Sequence, residues 1–243
     1  MLDPGPPTEP SAPHLHPRVV HWRHAFAWYE EAMRLFKFAP LTFVGLAVLT
    51  IAIELLLKAL PGALALSGEI VTPLVACGLL YASAAADRGE MPSLRVALQV
   101  FRTGGNAIAA IVAASLVAFA AQALAGWWIA DANLLEYESM AQLSIPAVLG
   151  IYAFGTLAAL PVTFVPFLVL FERVPLRDAF VISGVAFAQN TLPLIVYGAA
   201  SLVLLAFGLL TAGIGLAIAL PLWAASSYAA WKDVFGLRDA PPS

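Results

Sequence analysis

The chain has 243 residues, of which 61% are hydrophobic and only 11% charged, with a formal net charge of −3. Soluble domains carry about 25% charged residues, so an ordinary soluble fold is excluded. No ~10-residue segments of alternating polarity occur, which argues against a transmembrane β-barrel. Several apolar runs reach the roughly 20 residues a helix needs to cross hydrocarbon. The expected fold is all-α: a polytopic transmembrane helical bundle with six spans and about three cytoplasmic interfacial amphipathic helices.

The N-terminal stretch MLDPGPPTEPSAPHLHP is Pro-rich and polar. It lacks the basic start, short apolar core and cleavage site of a signal peptide, and residues 1–21 are expected to form a disordered tail. All four histidines, His14, His16, His21 and His24, fall in the N-terminal segment. A His-rich tract can bind metal, but a real site needs fixed geometry and supporting groups, so no metal or other cofactor is expected.

Residues 22–38 read as a first surface helix, with Trp22, Phe26, Tyr29, Met33 and Phe36 on one face and Arg23, Glu30, Arg34 and Lys37 on the other. That pattern suits a headgroup boundary; the alternative is an amphipathic helix packed on protein. The first span, about 41–60, contains Glu54 and Lys58, the only charges well inside any span. At i,i+4, with Glu first, they share a face and can pair. Lys58 is near the far end and can snorkel outward, while Glu54 lies about 20 Å along the helix. The pair is either structural or an intramembrane functional site; Glu54 and Lys58 are the only candidate site residues.

A Gly/Ser turn leads to a second span, about 70–86, containing Pro73. After the charged ADRGEMPS, residues 94–102 form a second surface helix, with Leu94, Ala97, Leu98 and Phe101 opposite Arg95, Gln99 and Arg102. Residues 32–37 and 97–102 both read Ala, apolar, polar, apolar, Phe, basic. Gly104-Gly105 precede a span and read as a turn, not a phosphate cradle. The third span, about 107–129, repeats alanine at 110, 114, 118, 121 and 125, a spacing that admits a close helix neighbour. Trp127-Trp128 mark an interface, and an acidic loop follows over 131–144. The fourth span, about 146–171, is expected to kink at Pro161 and Pro166. A third surface segment covers 175–190, the fifth span about 192–210, and the sixth returns through Pro221 to Ala230. Residues 237–243 form a short tail.

Of 12 Lys and Arg, all but Lys58 fall on the side holding both termini and the 87–105 and 172–190 loops. That asymmetry predicts cytoplasmic termini, and six spans satisfy the parity. Three units, about 22–86, 92–171 and 175–231 within a single membrane domain (22–236), each contain a surface helix, an outgoing span and a proline-bearing return span. The recurrence reflects either an internal repeat or general membrane grammar.

The segments WYEEAMRLFKFAP, ADRGEMPSLRVALQVFR, PFLVLFERVPLRDAFVISGVAFAQNTLPL and LPLWAASSYAAWKDVFG together resemble an uncharacterised family of six-span proteobacterial inner-membrane proteins. That family is loosely similar to the membrane domain preceding some glycerophosphodiester phosphodiesterases. The resemblance covers about residues 22–236 and implies topology and a bacterial inner-membrane location, but no activity or catalytic residues.

No P-loop, GxSxG or HExxH motif occurs, and no basic patch points to nucleic acid beyond the positive-inside charge. Polar residues within spans are few: Gln122, Tyr152, Thr163, Ser201, Ser226 and Ser227. Interhelical hydrogen bonding accounts for them. The expected function is a non-enzymatic accessory, scaffold or lipid-interacting protein whose partners are membrane lipids, other membrane proteins or a second copy of itself. The alternatives are a transporter or channel for a small or lipidic solute and, third, a membrane enzyme.

Overall fold

A computed structural model of the chain describes residues 15–60, 64, 67–134 and 143–237. Among the described residues there are ten α-helices and no strand. In chain order they are α1 (His24–Phe38), α2 (Pro40–Lys58), α3 (Ser67–Asp87), α4 (Leu94–Ala97), α5 (Gly105–Ala130), α6 (Ile145–Ala159), α7 (Val165–Leu170), α8 (Leu176–Gln189), α9 (Thr191–Leu210) and α10 (Leu216–Val234). Local chemistry sets many of the boundaries. Ser93 and Ser144 accept from the N–H groups of Val96 and Ala147 and start α4 and α6. Pro40 opens α2, where a missing N–H costs nothing. Asp131 takes a left-handed conformation that ends α5.

Five segments are long and apolar enough to cross a membrane: α2, α3, α5, α9, and α6 with its extension to Val162. The protein is therefore membrane-embedded. Helix α10 has 19 residues and a length near 28 Å at 1.5 Å per residue, but it carries Ser226, Ser227, Lys232 and Asp233 and is not among those five. Its polarity is compatible with its position. Ala219, Pro221, Leu222, Ala225, Ser226, Tyr228 and the residues from Ala229 to Trp231 are all buried, so α10 faces protein and not lipid along much of its length.

The long apolar run around Pro161 is interrupted, not merely kinked. Helix α6 stops at Ala159, a tight 3-10 turn covers Leu160–Val162, and α7 resumes at Val165. Proline lacks an N–H and its ring clashes with the preceding turn, so two prolines five residues apart leave backbone groups to be satisfied from elsewhere. Helix α8 supplies the partner: the buried Ser183 hydroxyl donates to the Pro161 carbonyl at 2.8 Å and accepts from the Phe164 N–H at 3.1 Å.

The packing order repeats three times and closes on itself. Each return segment (α3, α6–α7, α10) packs on its own outgoing helix, then on the surface helix and the outgoing helix of the next unit. Thus α4 and α5 lie on α3, α8 lies on the α6–α7 break while α9 lies on α6, and α1 and α2 lie on α10. The surface helices meet these return segments through small residues. Ala25 and Ala32 with Trp28 and Leu35 are the buried face of α1, Ala97 that of α4, and Ala179, Ser183 and Ala186 that of α8. Gly78 of α3 makes this close approach possible, since a Cβ there would stand 3.0 Å from the Ala97 Cβ. In the two matching hexapeptides, the same positions are buried: Ala32 with Leu35, and Ala97 with Val100.

The aromatic side of α1 is turned largely outward, and not onto protein as the alternative reading required. Trp22, Phe26 and Met33 are exposed, and Tyr29 and Phe36 only border the core. Leu94, Leu98 and Phe101 are likewise exposed. The bundle's outer surface also bares Leu124, Trp127, Trp128 and Val203, each more than two-thirds exposed. An apolar surface of this extent requires an apolar surrounding.

Candidate functional site

The two sequence-assigned residues are brought together at the end of α2 remote from the chain's basic segments. Lys58 Nζ lies 2.6 Å from Glu54 Oε1. The structure adds partners that the linear pattern does not reveal. The Thr72 hydroxyl of α3 donates to Glu54 Oε2, and Glu69, in the first turn of α3, lies 3.9 Å from Lys58 Nζ. A carboxylate in that first turn is favoured by the helix dipole. All three charged side chains are between a quarter and a third exposed, so the cluster opens outward.

Glu54, Lys58 and Glu69, together with Gln122 of α5 and Tyr152 of α6, line a cavity of about 120 Å³, which has room for several water molecules. Gly155 of α6 is required here, because a Cβ at that position would collide with the Gln122 side chain. Two carboxylates against one ammonium leave a net negative cluster. Its chemistry is that of an ion pair with spare acceptor capacity. The acidic loop expected over 131–144 lies mostly outside the described residues.

The opposite end of the bundle holds two further polar networks. Asp87, closing α3, accepts from Lys232 Nζ at 2.5 Å and the Tyr228 hydroxyl at 3.0 Å, and pairs with Arg34 at 3.2 Å. This ties α1, α3 and α10 together. Asp233, 1% exposed, accepts from Arg18 at 2.6 Å and the Trp28 indole at 2.8 Å, and its Oδ2 lies 2.7 Å from His24 Nδ1. The buried Asn190 accepts from the Val20 N–H at 2.8 Å and donates to the Arg18 carbonyl at 3.0 Å. Residues 15–21, expected to be part of a disordered tail, are therefore fastened to the bundle, with Leu15 and Val20 buried. Residues 1–14, with His14, lie outside the described residues. Tyr29 hydrogen-bonds the Tyr197 carbonyl and the Ser201 hydroxyl, and burial pushes its phenol up to about 12.

Of the polar residues marked in the spans, Ser201, Ser226, Ser227 and Thr163 bond to backbone carbonyls three or four residues back in their own segments. Such bonds satisfy the hydroxyls locally. Among the described residues, no three His, Cys, Asp or Glu side chains gather where they could hold a metal ion. Cys77 is buried.

No protein-family model, curated protein or solved structure matches the chain.

Proposed function

We propose that the chain is a six-span protein of a bacterial cytoplasmic membrane, with both termini on the cytoplasmic side. In this reading it acts as a non-enzymatic accessory or lipid-interacting component. One observation carries the proposal: three buried or part-buried carboxylates, Glu54, Asp87 and Asp233, are engaged with groups on neighbouring segments. Glu54 is taken up by Lys58 and Thr72, Asp87 by Lys232, Tyr228 and Arg34, and Asp233 by Arg18, His24 and Trp28. What such a molecule offers its surroundings is its apolar flank and its basic rim. The positive-inside asymmetry supports the orientation. The contacts of α10 with α9, α2 and α3 support its assignment as the sixth span. The family resemblance of residues 22–236 agrees with both.

Purification from its native membrane in a mild detergent tests the proposal. The expected result is retained phospholipid or a stoichiometric membrane protein partner, and no solute flux after reconstitution. A second reading, a solute transporter, draws on the cavity at Glu54 and the broken α6–α7 segment, because discontinuous helices and intramembrane ionisable groups mark transporter sites. Solute or proton flux in liposomes that disappears in Glu54→Gln would establish that reading in place of the first.

A further inference from the structure

We infer that the protein binds a phosphate group, as a phospholipid headgroup ester or as free phosphate, in a cavity at its basic end between α3, α5 and α7. The inference rests on the membrane reading above. The cavity has a volume of about 570 Å³ and is lined by Arg102, Arg173, Gln99, Thr103 and Asn106, with Tyr81 on the α3 side. No acidic residue lines it.

Four other basic residues near this end are engaged by carboxylates: Arg18 with Asp233, Arg34 with Glu31 and Asp87, Arg88 with Glu90, and Lys232 with Asp87. Arg102 and Arg173 form no ion pair among the described residues, and they come to one cavity from distant parts of the chain. Guanidinium groups match the oxygens of a phosphate with paired N–H donors. Both are exposed at the cavity, so a phosphate can reach them from the surface.

The backbone favours the same ligand class. Helix α5, 26 residues long, begins at the mouth of this cavity, and its N-cap Gly104 offers no side-chain cap. Side chains are absent at Gly104 and Gly105, and a Cβ at either would meet nothing within 4 Å. The Ala107 N–H is taken up by the Gly104 carbonyl at 3.0 Å, which leaves the Gly105 and Asn106 N–H groups for an approaching anion, which the helix dipole also favours. Gly104 and Arg173 line the same cavity, so the helix start and the guanidinium can act on one ligand. Asn106 keeps the cavity in shape: its amide accepts from the Leu176 N–H at 3.1 Å and donates to the Val174 carbonyl at 3.4 Å. These two bonds hold the turn that bears Arg173, whose backbone is left-handed at φ 55.

The position selects for lipid as a source. The cavity is floored by Ala107, Val169 and Leu170, and Phe101 beside it is exposed. A headgroup phosphate held by the arginines would leave its acyl chains on an apolar helix surface.

The test is binding of phosphatidylglycerol, phosphatidylcholine and inorganic phosphate to the detergent-purified full chain, followed by native mass spectrometry and thermal shift. Wild type is expected to retain phosphatidylglycerol in preference to phosphatidylcholine. Arg102→Gln with Arg173→Gln is expected to weaken that binding about tenfold or more, and Arg102→Lys with Arg173→Lys to restore part of it. Arg95→Gln, a charge on the same short segment but outside the cavity, is expected to change it little. Competition by millimolar inorganic phosphate would assign the site to free phosphate; insensitivity to it would assign the site to lipid. Equal retention of phosphatidylglycerol by wild type and the double Gln variant, with no response to phosphate in either, overturns the inference. So does an equal loss in Arg95→Gln, which would make the effect one of general charge. Alkaline carbonate extraction of the same variants reports membrane insertion separately, so a failed lipid site is distinguishable from a failed membrane assignment.

Discussion

Replacing Asp233 by alanine is the sharpest test of how the basic end is held. The carboxylate is 1% exposed and takes bonds from Arg18, His24 and Trp28. Its partners differ in what they lose. The Arg18 and His24 side chains are 44% and 43% exposed, so both can turn to water, and each lost contact costs about 1 kcal/mol or less. Trp28 is fully buried. Its indole N–H, left without an acceptor, costs about 1–3 kcal/mol. The sum is about 1–5 kcal/mol, or roughly 2–20 °C in melting temperature for a chain of this size. Asp233→Asn keeps an acceptor for the indole and should lose about half as much.

Trp28→Phe removes the orphan, so the double variant Trp28→Phe with Asp233→Ala should lose less than the two single losses added. Thermal unfolding in detergent measures the cycle. Trypsin cleavage after Arg18 gives a local readout, because that side chain loses its carboxylate partner while its bond to the main-chain carbonyl of residue 233 remains. Faster cleavage in Asp233→Ala is expected. Unchanged melting together with unchanged cleavage would refute the assignment of Asp233 as the anchor of residues 15–21.

Ser183→Ala should cost about 1–3 kcal/mol, since it removes the buried hydroxyl that serves both Pro161 and Phe164, and Ser183→Thr should recover part of that loss; unfolding in detergent measures both. At the other end, Lys58→Ala leaves Glu54 and Glu69 facing each other without an ammonium and should lower expression and thermal stability. Lys58→Ala with Glu54→Gln should be better tolerated than Lys58→Ala alone; a stable double variant that loses a solute flux present in wild type would make the pair mechanistic. Burial raises the Glu172 carboxyl above its ordinary range, so its protonated form is the one the fold favours. That contribution is complete below about pH 4 and is lost as pH rises through the raised value. Glu172→Gln should therefore gain melting temperature relative to wild type as pH rises above about 4.

Much of the helix layout was legible in the sequence, and the side-chain partnerships were not. Apolar run length and proline placement located the long segments because a bilayer demands both. The buried face of α1 was not legible from hydrophobicity. Its buried face combines Ala25 and Ala32 with Trp28 and Leu35, while Trp22, Phe26 and Met33 face outward, so apolar residues lie on both sides. Where lipid is as apolar as the core, small residues mark where helices can approach closely. The alanine recurrence on α5 reflects the same rule, with Ala110, Ala114 and Ala125 buried and Ala118 and Ala121 only partly so. Glu54 and Lys58 could be paired from their spacing. Glu69 and Thr72 could not be added, because their approach depends on how α3 returns beside α2. Pro161 announced a disturbance, but the Ser183 that satisfies the freed backbone lies on another helix. For the same reason Arg102 and Arg173, separated by two long helices, gave no sequence sign of lining one cavity.

The account depends most directly on α10 crossing the membrane as the sixth span. In a Cys77→Ala background, single cysteines introduced as Met91→Cys, Ile214→Cys and an added residue after Ser243 can be labelled with a membrane-impermeant maleimide on intact cells and again after permeabilisation. Met91 and Ile214 are both exposed. Labelling of intact cells at Ile214→Cys alone, with the other two positions reacting only after permeabilisation, is the predicted result. Labelling of the C-terminal cysteine from outside, alongside Ile214→Cys, would contradict it: α10 would then not cross, and five spans would replace six.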